Sequence, residues 1–287
     1  MEMIYTPGGD GILQVVGTPL GNLGDMSPRA REALEKADMV ACEDTRRCGQ
    51  LYRLLGLKAP RMVSCYKENE QARLVQVVGE VQAGKRVVLV SDGGMPGISD
   101  PGAKVVAAVR AAGLRVEVIP GPSAVATAVA GSGFEGGFVF VGFPERKDKA
   151  LRAQLAALAA EARMLVFYES PQRVEATVGV AQEVLGNRPA WLAREMTKLH
   201  EEWLGPDLAT LSEDLKARGG VKGECVLVIQ GATAGDAPRA HVDDAAIVAR
   251  LKARENVKTL AAWVADVENI AKTEAYGRVQ ALKDKLA

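Results

Sequence analysis

The stretch Arg86-Val87-Val88-Leu89-Val90-Ser91-Asp92-Gly93-Gly94-Met95-Pro96-Gly97-Ile98-Ser99-Asp100-Pro101-Gly102 decides the fold. Its first part is an apolar, β-branched run without alternation, the signature of a strand covered by helices on both faces. Its second part holds four glycines, two prolines and two aspartates, more backbone freedom than a plain connection needs. Pro101 is placed to start the next helix. Ligands of α/β proteins bind at the carboxyl ends of such strands, so one stretch predicts both the fold class and the position of a site.

Outward from it, residues 12–16, 39–42, 62–65 and 115–119 read as further strands, and 28–37, 46–55, 70–83 and 101–112 as helices. Gly84 and Gly113 stop two of those helices. The resulting α/β unit spans 1–119. Pro120-Gly121-Pro122 then reads as a hinge, followed by a helix at 123–130 and a second series. Its strands fall at 138–142, 164–168, 190–194, 202–204 and 225–229, with helices at 147–160, 172–185 and 207–217. Close spacing near its end predicts a mixed sheet, and a second α/β domain spans 120–231. Residues 232–236 read as a linker, and 238–287 as a purely helical tail. Its apolar faces are Ile247, Val248 and Leu251; Leu260, Ala261 and Val264; and Tyr276, Val279 and Leu282. Asp243, Asn256 and Thr273 are placed as its N-caps.

Thirty-six Lys and Arg balance 36 Asp and Glu among 287 residues, so any nucleic-acid binding must come from a local face. The tail from Pro238, with nine basic against seven acidic residues, adds little. No apolar run reaches membrane-span length, and Met1 to Asp10 lack the regions of a signal peptide; a cytoplasmic location is expected. Cys42, Cys48, Cys65 and Cys225 form no C-x-x-C pair, and only His200 and His241 are present, so no metal site is expected. Gly79 to Lys85 nearly matches a phosphate-binding loop. However, Arg86 stands where Ser or Thr should be, and a helix ends there instead of beginning.

Two more glycine-bearing loops follow strands: Gly17-Thr18-Pro19-Leu20-Gly21-Asn22-Leu23-Gly24-Asp25 and Pro120-Gly121-Pro122-Ser123-Ala124. Glycine there lets backbone approach a ligand and leaves N–H groups free at a helix start. Three such loops at one sheet edge predict an elongated, mostly uncharged ligand held by backbone. Three charged segments also follow strands: Glu43-Asp44-Thr45-Arg46-Arg47, Glu169-Ser170-Pro171-Gln172-Arg173, and Arg194 to Glu202. Together they read as a substrate cleft.

In this order the segments resemble the tetrapyrrole-methylase superfamily, and within it the methyltransferases of small-subunit ribosomal RNA. The match rests on Gly17–Asn22, Glu43-Asp44-Thr45-Arg46, Ser91-Asp92, Ile98-Ser99-Asp100-Pro101-Gly102 and Gly121-Pro122-Ser123-Ala124. It continues through Phe167-Tyr168-Glu169-Ser170-Pro171, Arg194-Glu195, Thr197–Glu202 and Lys222-Gly223-Glu224. The resemblance implies two α/β domains with S-adenosyl-L-methionine in the cleft between them, and a homodimer. It implies 16S rRNA as substrate, methylated on the ribose 2'-hydroxyl of a cytidine. By position it implies cofactor contacts at Leu20, Asp92, Gly93, Gly94, Gly97, Ser123, Ala124, Glu169 and Met196. The chain departs from the family pattern at Cys48, Gly93, Met95 and Gln172.

The hydroxyl needs a base or a cation to stabilise developing charge. Glu43 or Glu201 is expected in the first role, and Lys198 or Arg46 in the second. Arg46, Arg47, Arg146, Lys147, Lys149 and Arg173 are candidates for gripping phosphate. Two other readings stay open: a methyltransferase acting on a tetrapyrrole-like small molecule, and a non-catalytic ribosome-binding protein.

Overall fold

The computed structural model describes residues 11–66, 69–233, 242–268 and 271–286. The first sheet is wholly parallel, with β1 (Ile12–Val16), β2 (Met39–Cys42), β3 (Arg61–Ser64), β4 (Arg86–Val90) and β5 (Arg115–Ile119) in the order β3-β2-β4-β1-β5. Between them run α1 (Pro28–Glu35), α2 (Thr45–Leu54), α3 (Glu70–Gln82) and α4 (Ala103–Ala111). Val87 and Leu89 of β4 pack into one apolar cluster, while Val88 and Val90 pack into another on the opposite face. The apolar run of β4 is therefore the consequence of helices on both sides.

The second sheet is mixed. It comprises β6 (Phe138–Gly142), β7 (Met164–Glu169), β8 (Ala190–Arg194), β9 (Glu202–Leu204) and β10 (Cys225–Ile229), ordered β6-β7-β10-β8-β9. β6 and β7 are parallel; β10 is antiparallel to both β7 and β8, and β8 and β9 pair antiparallel. The helices α6 (Asp148–Ala157), α7 (Val174–Leu185) and α8 (Leu208–Arg218) accompany this sheet. One face carries Cys225, Leu227 and Ile229 into the larger core. The other carries Val226 and Val228 against Val125 and Ala128 of α5 (Ala124–Ser132). The helix after the Pro120-Gly121-Pro122 turn thus serves the second sheet.

Most elements lie within a residue or two of their predicted bounds. Pro101 does not begin α4. Glu70, buried to 4% exposure, accepts the Gly102 N–H at 2.9 Å, and Gly102 at φ +140° caps the helix, which starts at Ala103. The Gly84 stop is confirmed at φ +83°, and Lys85 Nζ pairs with Glu80.

Among the described residues, the last helices are α9 (Asp244–Lys252), α10 (Val257–Glu268) and α11 (Lys272–Asp284). Ile247, Leu260, Ala261, Val264, Ala275 and Val279 form their shared core. Asp243 caps α9 through the Ala245 N–H at 3.1 Å, and Asn256 accepts the Lys258 N–H at 2.8 Å. The third cap differs: α11 begins two residues early, so Ala271 is its N-cap and Thr273 lies inside it. On the inner face of α11, Ala275 and Val279 are buried and Leu282 packs against them, while Tyr276 is 46% exposed and does not belong to that face. Residues 1–10 lie outside the described residues, as do His241 and most of the 232–236 linker. Among the described residues no helix is long and apolar enough to cross a membrane.

Candidate functional site

The three glycine-bearing loops meet at the carboxyl edge of the first sheet. Thr18 and Gly94 exchange backbone hydrogen bonds, N–H to carbonyl, of 2.9 and 3.0 Å. Gly94 sits at φ +82°, a positive value that glycine adopts without the steric cost a side chain would add. A β-carbon there would lie 3.3 Å from Leu20 Cδ2 and 3.5 Å from the Pro122 carbonyl. Gly17 and Gly121 touch as well, since a β-carbon on Gly17 would fall 2.7 Å from Gly121 Cα. Small residues are what let these loops close on one another.

Beside this junction lies a cleft of about 870 Å³, within the range of small-ligand sites. The first sheet supplies Leu20, Glu43, Asp92, Gly93 and Gly94 to its lining. Ser123, Ala124, Tyr168, Glu169 and Lys198 face them from the second half of the chain. The cleft is rich in carboxylates, with Glu43, Asp92, Asp100 and Glu224 in its wall. Burial pushes the Glu43 carboxyl above the usual carboxylate range, and the neighbouring Asp100 and Asp92 charges push the same way. Asp100 is raised chiefly by burial, with Asp92 and Glu224 adding to it against a hydrogen bond with Ser91.

Two cations face this acidic wall. Arg47 pairs with Asp92 at 3.3 Å, and Asp92 also accepts the Asp44 N–H at 3.2 Å. Lys198 Nζ donates to Glu195 at 2.8 Å and Glu224 at 3.0 Å. Burial opposes the Lys198 charge, but those two hydrogen bonds outweigh it and hold its pKa above the ordinary lysine value. Lys198 rides on the β8–β9 connection, where Glu195 and Thr197 take φ of +51° and +66°. Such positions cost on the order of 1–3 kcal/mol each in side-chain-bearing residues. Glu201 sustains the turn, accepting from the Thr197 N–H at 2.6 Å and Trp203 Nε1 at 3.1 Å.

Glu169 is built in differently. Its side chain is fully buried and accepts the Ser170 N–H and the Thr177 hydroxyl, each at 2.7 Å. Arg173 Nη2 stands 3.5 Å from it.

Of the residues singled out in the sequence, Leu20, Glu43, Asp92, Gly93, Gly94, Ser123, Ala124, Glu169 and Lys198 share the cleft. Four do not line it. Arg46 turns back to Asp44 at 2.7 Å, with its side chain 90% exposed. Glu201 is spent on the Thr197 turn. Gly97, at φ +79°, packs on the start of α4, and Met196 is buried in the core beside α5. Asp100, Glu224, Tyr168 and Phe143 line the cleft without having been assigned a role. Phe143 carried a signal, an aromatic in a Gly-Phe-Pro turn just before a basic run. Met95 lines the cleft too, Cys48 is buried and Gln172 is exposed.

The family model for tetrapyrrole (corrin/porphyrin) methylases matches residues 13–212. A ribosomal RNA small subunit methyltransferase I of Mycobacterium tuberculosis (strain ATCC 25618 / H37Rv) is 46% identical over 225 residues, covering 77% of this chain and 78% of that protein. A protein of the same name from Escherichia coli O157:H7 is 38% identical over 274 residues, 93% of each chain. Among solved structures, uroporphyrin-III C-methyltransferase from Thermus thermophilus, complexed with S-adenosyl homocysteine, superposes with a TM-score of 0.55. It has 20% identity, and the match covers 77% of this chain and 97% of that one.

Proposed function

The chain belongs to the tetrapyrrole methylase family, and we propose on that premise that it methylates the 16S rRNA of the small ribosomal subunit, using S-adenosylmethionine. The acceptor is the ribose 2'-hydroxyl of a cytidine. The observation that carries this reading is the cleft itself, closed by glycine loops on one side and lined by carboxylates.

These residues suit the cofactor. Gly93 and Gly94 present backbone at the junction of three loops, fitting an elongated ligand gripped by N–H and carbonyl groups. Glu43, Asp92, Asp100 and Glu224 provide negative charge for a ligand with a sulfonium and an ammonium. Bound S-adenosylmethionine supplies a methyl group on a good leaving group, so positioning in a dry cleft accounts for much of the rate.

Glu43 is the residue to orient or accept the proton of the 2'-hydroxyl. Its raised pKa makes it a better base than an ordinary carboxylate. Lys198, fixed by Glu195 and Glu224, is the cation to stabilise the developing oxyanion. Arg46 and Glu201, outside the cleft, have supporting parts: Arg46 faces solvent, where it can meet phosphate, and Glu201 shapes the Lys198 turn. The division into domains at 1–119 and 120–231, with a helical tail domain at 238–287, a homodimeric state and a cytoplasmic location complete the reading.

The test is transfer of labelled methyl from S-adenosylmethionine to small ribosomal subunits from cells lacking this gene. Label on a cytidine ribose of 16S rRNA is expected, and Lys198→Ala and Glu43→Ala should each lower turnover about 10²-fold or more. Cofactor binding without label in RNA would move the substrate to a small molecule. Intact turnover in both variants would remove their roles.

A further inference from the structure

Phe143 is a large apolar side chain that the fold leaves 59% exposed while holding it at the cleft wall. Its ring meets Tyr168 edge-on, with centroids 5.7 Å apart, and Tyr168 in turn meets Phe140 at 4.9 Å. The aromatic row thus runs from the second core, where Phe140 packs, out to the mouth of the cleft.

The loop bearing Phe143 is pinned. Arg173 Nη2 donates to the carbonyls of Pro144 at 3.2 Å and Glu145 at 2.7 Å, and Gln154 accepts the Glu145 N–H at 3.0 Å. Arg173 is itself set against the buried Glu169 carboxylate at 3.5 Å. An exposed aromatic on a mobile loop would fold back onto apolar surface; this one is held between the pairing of Gly142 with Phe167 before it and the polar bonds at Pro144 and Glu145 after it. Directly after it, Arg146, Lys147 and Lys149 are all exposed. Asp148, the carboxylate within that run, is taken by Arg152 at 3.0 Å. In a chain of zero net charge, this sets a flat apolar ring at the cleft wall and, three to six residues further along the chain, three exposed cations against one exposed carboxylate outside the run, Glu145. That pairing fits single-stranded nucleic acid, whose bases stack on aromatic rings while its phosphates meet basic side chains.

We propose that Phe143 is a stacking platform for one unpaired base of the RNA substrate, with neighbouring phosphates held by Arg146, Lys147 and Lys149; this rests on the rRNA reading above. The ring is a specificity element for the RNA and takes no part in holding the cofactor.

The experiment compares wild type, Phe143→Ala and Phe143→Tyr in methyl transfer to small ribosomal subunits at saturating S-adenosylmethionine. Cofactor affinity by calorimetry and molar mass by light scattering are measured in parallel. Phe143→Ala should lower kcat/KM for the RNA roughly fivefold to a hundredfold through KM, and Phe143→Tyr should keep wild-type values. Cofactor affinity and mass should not move. Lys147→Ala should flatten the salt dependence of RNA binding by about one logarithmic unit of slope. A Phe143→Ala enzyme with unchanged kcat/KM overturns the proposal, and so does a loss accompanied by a changed mass, which would make the ring a contact between copies of the chain. Wild type that binds cofactor but labels no RNA is a different failure, that of the rRNA reading itself.

Discussion

Gly21 lies directly against Lys198: a β-carbon on the glycine would fall 2.2 Å from Cγ of the lysine. The clash is near the root of the side chain, while its Nζ is fixed by Glu195 and Glu224. The two halves of the chain also meet here through the Asn22 N–H, which donates to Thr197 Oγ1 at 3.3 Å. A loop of the first sheet therefore sets the position of a cation carried by the second.

Gly21→Ala should displace Lys198 and lower methyl transfer on the order of 10²-fold, the scale of a misplacement of about 1 Å. If the effect runs through Lys198, the double variant with Lys198→Ala should be no slower than Lys198→Ala alone. Multiplying losses in that cycle would show that Gly21 acts elsewhere.

This coupling marks the limit of what the sequence makes legible. Strands such as β4 and β10 announce themselves because both faces are buried, and the glycine loops are visible as local composition. Lys198 can be picked out only as one charge among several between Arg194 and Glu202. What singles it out is the positive φ of Glu195 and Thr197 and the antiparallel pairing of β8 with β10, which brings Glu224 alongside. Arg46 and Glu201 look equivalent to Arg47 and Glu43 in sequence. They are separated by a helix cap at Asp44 and an indole at Trp203. The gathering of Asp100 with Glu224 joins loops more than a hundred residues apart, and no local pattern reports it.

Asp100→Asn should raise the melting temperature at neutral pH. Burial, with Asp92 and Glu224, raises the Asp100 pKa in the folded protein, so the folded state binds its proton more tightly than the unfolded chain. Its contribution to stability is then fully present below the ordinary aspartate value and declines as pH rises through the raised one. The gain from Asn should be present at pH 7 and vanish toward about pH 4. A gain independent of pH would mean that packing, not charge, is responsible.

Binding of S-adenosylmethionine should release protons. A cation entering the cleft lowers the raised pKa values of Glu43 and Asp100 toward their ordinary range, so affinity should increase with pH across that window. S-adenosylhomocysteine, lacking the sulfonium charge, should release fewer. Calorimetry in two buffers of different ionisation enthalpy counts the protons, and equal counts for the two ligands would place the sulfonium away from these carboxylates.

Thr177→Val should couple the core to the cleft mouth. The Thr177 hydroxyl satisfies one oxygen of a Glu169 carboxylate that has no solvent contact. Removing it leaves that oxygen with Arg173 at 3.5 Å alone among the described partners, a loss of about 1–3 kcal/mol for a buried acceptor. Arg173 would then be drawn toward the carboxylate and away from the Pro144 and Glu145 carbonyls that fix the Phe143 loop. The expected outcome is a lower denaturation midpoint together with a raised KM for RNA, both restored by Thr177→Ser. A lowered midpoint with RNA KM unchanged would show that the carboxylate holds the core but not the loop, and that Arg173 keeps its place without Glu169.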